Sequence, residues 1–374
     1  MKFLKFRRLG SLSTICLFSI VLFLNGSISA NASGSQTALS ISRGGTNANT
    51  VEDAQTNLGK VNQIINNTND TTFPSAKAVY DLADDYVSPG KFVVTNVGKI
   101  YISNNNLVFK KILDSDVSIL RGLAFGNKKF VATGTLGRIL YSYDGINWQD
   151  SNVASEVSST YITNIAYGQN KFIALAETGQ KILISDDGIN FTTVVSTGIN
   201  YAYNIIYANN KWVLVGAGHI AVSDDGLNWT TTFSAGNTLR GITFGQGKFI
   251  VGGQKQLLYS YDGITWHNAS TSSAISNIVH GLAYSNALKI YVGAVYQSNQ
   301  SLFSSDGINW QTGQLPDSVT WNNVTYGAGK FVATGGKGHI IYSYDGINWA
   351  EATPNIDDSS TSFGAIVYVK DREL

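Results

Sequence analysis

The sequence predicts an all-β fold, a β-propeller, from a short phrase that recurs along most of the chain. Six clear copies carry Ser, Asp, Gly and an aromatic residue in fixed order, and a worn copy precedes them. The copies span Ser103–Phe109, Ser142–Trp148, Ser185–Phe191, Ser223–Trp229, Ser260–Trp266, Ser304–Trp310 and Ser343–Trp349. Their glycine positions are 37 to 44 residues apart. Turn residues and aromatics at a period of about 40–50 residues are typical of propeller blades.

One repeat contains enough strand-forming runs for a four-stranded blade. In Asn323–Trp349, three runs of β-branched and aromatic residues are separated by glycine-rich turns, and the Asp-Gly turn leads into a fourth run. The chain enters the propeller at Gly90 with a run that matches a second strand, and it ends with Phe363–Leu374, which matches a first strand. We therefore expect seven blades over residues 90–374, closed by the C-terminal strand beside Phe92–Thr95.

Each residue of the turn phrase has a structural explanation. The aspartate accepts hydrogen bonds from backbone N–H groups a few residues later, and the serine supplies another local bond. The glycine takes a left-handed conformation, and the aromatic residue packs between neighbouring sheets. The alternative is calcium binding by the carboxylate pairs Asp186-Asp187 and Asp224-Asp225. Because the turn recurs in every repeat, we interpret it as scaffold and predict no metal and no cofactor.

Residues 1–32 have the three-part pattern of a secretory signal peptide. Four basic residues precede the apolar run Leu12–Leu24, and the small residues of Ala30-Asn31-Ala32 follow it. The run has 13 residues, whereas a membrane span needs about 20, although an uncleaved anchor is the alternative. Cys16 is the only cysteine, so the exported chain has no disulfide. We expect a secreted or cell-surface protein with no integral membrane span after cleavage.

The charge of the exported chain is weakly acidic. Removing the four basic residues of the signal peptide leaves 22 of the 26 Lys and Arg against 25 Asp and Glu, a net charge of −3. Nucleic-acid and anionic-membrane binders usually carry a basic surface. The composition therefore argues against a nucleic-acid partner.

Residues 33–89 carry a different pattern, in which two short helices are predicted. The first runs from about Val51 to Leu58 and stops at Gly59, and the second runs from about Pro74 to Asp85. The segments that contain these helices, Ile41–Gly59 and Thr72–Tyr86, resemble elements common in phage tail fibres. That resemblance implies a stalk that self-associates as a homotrimer. The alternative is a monomer in which these helices lie against the propeller or stay loose.

The turn phrase resembles the Asp-box of BNR and sialidase propellers, and it is similar to the looser repeat of photosystem assembly factor-like propellers. The resemblance implies the fold and transfers no activity, because the Asp-box lies away from sialidase active sites. A sialidase also needs an arginine triad, a Tyr–Glu pair and an acid. Glu177, in a turn between a second and a third strand, is the only plausible acid.

Two columns of residues converge on the propeller face opposite the Asp turns. The column that opens the first strands is Arg121, Thr163, Tyr203, Arg240, His280 and Asn322. The column that opens the third strands is Lys99, Arg138, Lys181, His219, Gln256, Gln300 and His339. Arginine suits anionic groups, and histidines and amides suit hydroxyls. Trp321, if it were exposed, would stack on a sugar ring, but buried core is its alternative role.

We predict ligand binding at the channel mouth by Arg121, Tyr203, Arg240, His280, Asn322 and Trp321. The expected function is that of a secreted or cell-surface, non-enzymatic binding module for glycans or another surface partner. The alternatives are a sialidase-like hydrolase acting on glycans and a scaffold or assembly factor that holds a protein partner. For most of the third-strand column the alternative is that these residues are polar only because they lie in solvent-exposed turns, without a role in binding.

Overall fold

The computed structural model describes residues 90–374 except 179, 196–197, 235 and 353–361. The described residues form sheets that are antiparallel except for two short parallel pairs, Asn152–Val153 with Asn190–Val195 and Ser270–Thr271 with Asn309–Val319. They contain no α-helix, with 3-10 turns at Ser155–Val157 and Asp371–Glu373. The predicted signal peptide and the two predicted stalk helices lie outside the described residues. Within the described part of the chain, no helix is long and apolar enough to span a bilayer.

The first sheet contains seven strands in the order β29-β1-β2-β3-β4-β5-β6. Its strands are β1 (Gly90–Thr95), β2 (Val97–Ser103), β3 (Phe109–Gly126), β4 (Lys129–Gly134), β5 (Ile139–Ser142), β6 (Gln149–Asp150) and β29 (Ile366–Lys370).

Five further sheets have four or five strands each. The second sheet contains β7 (Asn152–Val153), β8 (Ile162–Gly168), β9 (Lys171–Ala176), β10 (Lys181–Ser185) and β11 (Asn190–Val195). The third contains β12 (Ala202–Ala208), β13 (Lys211–Gly216), β14 (His219–Ser223) and β15 (Thr230–Ser234). The fourth contains β16 (Leu239–Gly245), β17 (Lys248–Gly253), β18 (Gln256–Ser260) and β19 (His267–Asn268). The fifth contains β20 (Ser270–Thr271), β21 (Val279–Ser285), β22 (Ile290–Val295), β23 (Ser298–Ser304) and β24 (Asn309–Val319). The sixth contains β25 (Trp321–Gly327), β26 (Lys330–Gly335), β27 (Ile340–Ser343) and β28 (Ala350–Glu351).

The prediction of seven separate four-stranded blades is wrong. The described strands form five blade-like sheets of four or five strands and one continuous seven-stranded sheet. The cause lies in β3, an 18-residue strand whose first half pairs with β2 and whose second half pairs with β4. The sequence of β3 has no glycine or proline before Gly122 to interrupt it, so the backbone stays extended from one pairing to the next.

The innermost strands contact one another in a closed ring. β3, β8, β12, β16, β21 and β25 are neighbours in that order, and β29 lies between β25 and β3. β29 pairs antiparallel with β1, with Phe92 opposite Tyr368 and Val94 opposite Ile366. This pairing confirms the prediction that the C-terminal segment lies beside Phe92–Thr95. It joins the two ends of the described chain and covers a sheet edge.

The hydrophobic core lies between adjacent sheets rather than within one of them. One cluster joins Phe92 and Tyr101 of the first sheet to Val332 and Ile340 of the sixth, so the core continues across the closure of the ring. Trp310 of the turn phrase is fully buried, and its ring centroid lies 6.1 Å from that of Tyr291 in its own sheet. The same core cluster contains Ile250 of the fourth sheet. The predicted packing of the turn aromatic between sheets is confirmed at this position.

The Asp turns form as the sequence predicts. In the copy at Ser223–Trp229, Asp225 Oδ1 accepts hydrogen bonds from the backbone N–H of Leu227 and Asn228, each at 2.8 Å. Ser223 Oγ donates to the same carboxylate at 2.9 Å. Hydrogen bonds from Asn228 and Leu227 hold the pKa of Asp225 well below its usual value. The carboxylate is therefore used to close the turn.

Lysines at the start of second strands tie neighbouring units together. Lys171 Nζ donates to the backbone carbonyl of Asp225 at 3.0 Å, and Lys91 Nζ donates to that of Asp144 at 3.4 Å. Lys330 makes the equivalent bond to the Asn105 carbonyl, from the last sheet to the first. The Lys171 and Lys330 bonds add polar cross-links to the apolar contacts between sheets, whereas the Lys91 bond lies within the seven-stranded sheet.

Candidate functional site

A β-bulge interrupts the pairing of six inner strands at one equivalent residue. In β16, for example, Leu239 pairs with Gly253 and Gly241 pairs with Gly252, so Arg240 is left unpaired. The unpaired residues are Arg121, Thr163, Tyr203, Arg240, His280 and Asn322, which we call the bulge ring. These are the six residues of the predicted first-strand column. A bulge turns a side chain away from the regular alternation of a strand, and here it supplies the local reason for the column.

The bulge ring lines a central cavity of about 520 Å³. All six of its members face this cavity, together with residues of the neighbouring loops. Other lining residues include Asn164, Glu177, Asn204, Tyr296, Asn323 and Ser362. Ligand pockets commonly have volumes of about 300–1,000 Å³, so the cavity has room for one sugar ring or a short peptide segment.

Arg240 is held in place by two contacts inside the cavity. Its guanidinium carbon lies 4.0 Å from the centre of the Tyr203 ring, which is a cation–π geometry. Its Nη1 lies 3.5 Å from His280 Nε2. Burial lowers the pKa of Arg240, but an arginine side chain stays protonated in proteins. The cavity therefore contains a fixed positive charge in a half-buried position.

His280 supports Arg240 as a neutral ring. Burial, followed by the positive charge of Arg240, lowers the pKa of His280 to about 3. His280 Nδ1 lies 3.0 Å from the backbone carbonyl of Asn322 and must donate its proton there. Nε2 then carries the lone pair that faces Arg240. At neutral pH the ring accepts from the guanidinium and does not repel it.

Arg121 is the second cationic member of the bulge ring, and it is exposed. It is close enough to Arg240 to lower the pKa of that guanidinium, although burial and Tyr203 have larger effects. Among the described residues, neither arginine forms an ion pair with a carboxylate. Two cations near each other without a paired anion create a positive potential in the cavity.

Amide side chains bridge the inner strands around the cavity. Asn164 Nδ2 donates to Asn204 Oδ1 at 2.8 Å, and Asn204 Nδ2 donates to the Arg240 carbonyl at 3.1 Å. Asn322 Nδ2 donates to Ser362 Oγ at 2.8 Å and to the Phe363 carbonyl at 2.6 Å. Through these hydrogen bonds the amides fix the strand spacing. The arginines are the charged groups of the bulge ring.

Trp321 does not take part in the cavity surface. Its side chain is 0 % exposed, and its indole Nε1 donates to the Asp317 carbonyl at 3.2 Å. The residue precedes the bulge, where the side chain points into the core between the fifth and sixth sheets. The prediction of a stacking platform is therefore wrong for Trp321, and its alternative as core is confirmed.

The predicted third-strand column does not reach the cavity. Several of its members bond to partners near their own strands. Arg138 Nε pairs with Asp150 Oδ1 at 2.9 Å, and His219 Nδ1 lies 3.0 Å from Ser234 Oγ. His339 Nδ1 lies 2.9 Å from Glu351 Oε1. Of the two predicted columns, only the first lines the cavity.

A second set of equivalent positions follows the second strands. In each unit, the backbone N–H of one residue donates to the carbonyl of the residue two places before a bulge. These residues are Thr135, Glu177, Ala217, Gln254, Tyr296 and Gly336, which we call the rim ring. Glu177 and Tyr296 also line the cavity. The sequence predicts Glu177 only as a candidate acid, because the backbone hydrogen bonds that define the rim ring have no sequence signature.

Comparison with known proteins supports the propeller fold. No family model matches the chain, and no curated protein matches it. The structure of virginiamycin B lyase from Staphylococcus aureus is similar over 67% of this chain and 93% of that chain, with 12% identity and a TM-score of 0.57. A structure described as YCF48 bound to D1 peptide is similar over 63% of this chain and 81% of that chain, with 16% identity and a TM-score of 0.52. At these identities the likeness shows the fold alone, and the Asp-box and tail-fibre resemblances stay predictions.

Proposed function

We propose that this protein is a non-enzymatic binding module that takes an anionic, hydroxyl-rich ligand, such as a carboxylated glycan, into the central cavity. The observation that carries the proposal is the choice of residues in the bulge ring, where two of the six positions are arginine. Equivalent bulges are built with Thr163, Tyr203 and Asn322, so the fold does not require a guanidinium at Arg121 or Arg240.

The environment of Arg240 favours recognition of an anion. A guanidinium binds carboxylate, sulfate or phosphate through two parallel hydrogen bonds. Tyr203 and His280 restrict its movement, which reduces the conformational entropy lost when a ligand binds. Its partial burial strengthens the attraction, because charges interact more strongly away from bulk water.

Exposed aromatic rings near the cavity support the choice of a sugar. Tyr161 and Tyr201 are 41% and 49% exposed. Both lie beside Glu177, whose N–H donates to the Tyr161 carbonyl and whose carbonyl accepts from the Tyr201 N–H. Tyrosine offers an apolar face to a sugar ring and a hydroxyl to its polar edge.

The single carboxylate among the described lining residues of the cavity favours binding over hydrolysis. Most glycoside hydrolases use two carboxylates on either side of the bond that breaks. Among the described lining residues, Glu177 is the one acidic side chain. The fold does not decide this question, because one of the similar structures is a lyase.

A protein ligand is the second candidate. The structure of YCF48, which shares the propeller fold, is of a complex with a peptide. A peptide with an acidic group would meet the same two arginines. The module would then act as a scaffold or assembly factor.

Export and self-association extend the proposal to the first 89 residues. Residues 1–32 would direct secretion, and residues 33–89 would form a tail-fibre-like stalk before the propeller of residues 90–374. A trimer would present several cavities to one surface, and such multivalency raises avidity by roughly 10²–10⁴. Sedimentation equilibrium of the full chain tests the trimer, which a monomer at micromolar concentration would contradict.

A binding screen tests the proposed function. The full chain is applied to immobilised glycans and acidic peptides, beside the double variant Arg121→Ala/Arg240→Ala. Arg138→Ala is the control, since it removes an arginine that lies outside the cavity. We expect retention on carboxylated glycans that the double variant loses and the control keeps. Retention on peptides alone would favour the second candidate, and equal retention by the double variant would refute both.

A further inference from the structure

We propose that the cavity selects a zwitterionic ligand, one that carries an ammonium group together with its carboxylate. The inference rests on the proposed function and adds a second charge to the ligand. It comes from Glu177, which lines the same cavity as the two arginines.

The turn that contains Glu177 does not need a carboxylate. Its structural role is fulfilled by the backbone, since the N–H donates to the Tyr161 carbonyl at 2.8 Å and the carbonyl accepts from the Tyr201 N–H at 3.0 Å. The same N–H bond is made in the other units by Thr135, Ala217, Gln254, Tyr296 and Gly336, none of which is charged at neutral pH. Glu177 is thus the single acidic member of the rim ring.

The carboxylate of Glu177 is not neutralised by a cation of the described residues. No ion pair joins it to Arg121, to Arg240 or to a lysine in the described part of the chain, although its charge acts on Arg240 across the cavity. The side chain is half-buried, so water screens its charge less than on an open surface. A half-buried anion without a partner attracts a cation.

The positive and negative groups of the cavity lie at different positions. The positive pole consists of bulge-ring residues from β3 and β16, whereas Glu177 follows β9. A ligand with a carboxylate alone would satisfy the arginines and leave Glu177 unpaired or repelled. A ligand that also carries an ammonium group pairs both, and this difference is the origin of the selectivity.

Two matched probe pairs test the inference on the full chain by isothermal titration calorimetry. The first is muramic acid against N-acetylmuramic acid, and the second is diglycine against N-acetyldiglycine. Within each pair the carboxylate is shared and only the ammonium group differs. We expect the zwitterion to bind about tenfold more tightly in at least one pair, the factor given by one charge-assisted hydrogen bond. The pair that shows selectivity identifies an amino sugar or a peptide as the source.

Glu177→Gln separates this inference from the proposed function. We expect the variant to keep binding the acetylated probe and to lose the preference for the zwitterion. Glu156→Gln, an exposed glutamate outside the cavity lining, is the control and should keep the preference. Equal binding of both members of each pair to the wild type would overturn the inference and leave anion binding intact. If none of the four probes binds, both the inference and the proposed function are overturned.

Discussion

The Asp turn at Ser185–Phe191 allows the stability of the repeat to be tested with an internal control, because it contains two adjacent aspartates. Asp187 Oδ1 accepts from Ser185 Oγ at 2.9 Å and from the N–H groups of Ile189 and Asn190 at 2.8 Å. Asp186 is exposed, and no hydrogen bond to its carboxylate is observed within the described residues. Replacing each by alanine removes the same charge from neighbouring positions.

We expect Asp187→Ala to lower the free energy of unfolding by about 1–2 kcal/mol. Hydrogen bonds to a charged group contribute about 1.5–3 kcal/mol each when buried, but the donors here are reached by water once the acceptor is gone. The closest analogue is loss of a helix-capping side chain, which costs about 0.5–2 kcal/mol. Asp186→Ala should change stability by less than about 0.5 kcal/mol.

Thermal unfolding followed by circular dichroism measures the difference. At about 2–4 °C per kcal/mol for a domain of this size class, Asp187→Ala should lower Tm by roughly 2–8 °C, and Asp186→Ala should leave it nearly unchanged. Equal losses in the two variants would refute the assignment of the turn bonds to Asp187.

The pH dependence of the same pair gives a second readout. Partial burial would raise the pKa of Asp187, but the hydrogen bonds from Asn190 and Ile189 outweigh it and hold the pKa well below its usual value. A lowered pKa stabilises the fold above the unfolded pKa of about 4, and the contribution is lost as the pH falls below it. The gap between wild type and Asp187→Ala should therefore narrow on acidification, and a constant gap would contradict the reasoning.

Three further predictions concern the core, the cavity and the ring closure. Trp310→Ala, which truncates a fully buried side chain, should lower the free energy of unfolding by about 3–5 kcal/mol in urea titration; a loss below about 1 kcal/mol would contradict its place in the core. An NMR titration should give His280 a pKa of about 3. In Arg240→Ala this pKa should rise but stay below the usual 6.5, because the ring is still buried. An unchanged pKa would contradict the Arg240 contact. Deleting Ile366–Leu374 removes β29 from β1 and should lower Tm by more than any single variant above, whereas an unchanged Tm would contradict closure by this strand.

The sequence predicted the elements that repeat and are decided locally. The prediction of the Asp turns is confirmed because their hydrogen bonds join residues within four positions of one another. The bulge ring was predicted as a column because the same strand position recurs in each repeat. The pairing of the C-terminal strand followed from an incomplete unit at each end of the propeller.

What the sequence left undetermined depends on contacts between distant residues. Continuity of the sheet through β3 is a property of one long strand that the repeat pattern divides in two. Trp321 and Asn322 are adjacent in the sequence, and only the bulge decides which of the two side chains faces the cavity. The rim ring, with Glu177, is defined by backbone bonds that no residue type encodes.

The proposed function requires that Arg121 and Arg240 bind an anion in the cavity. The most direct measurement is side-chain NMR of the arginine Nε–H groups in the full chain during titration with glucuronate and with glucose. We expect the Arg121 and Arg240 resonances to shift with glucuronate and not with glucose, while the Arg138 resonance stays in place. Shifts confined to Arg138, equal shifts with both sugars, or no shift at either cavity arginine would contradict it.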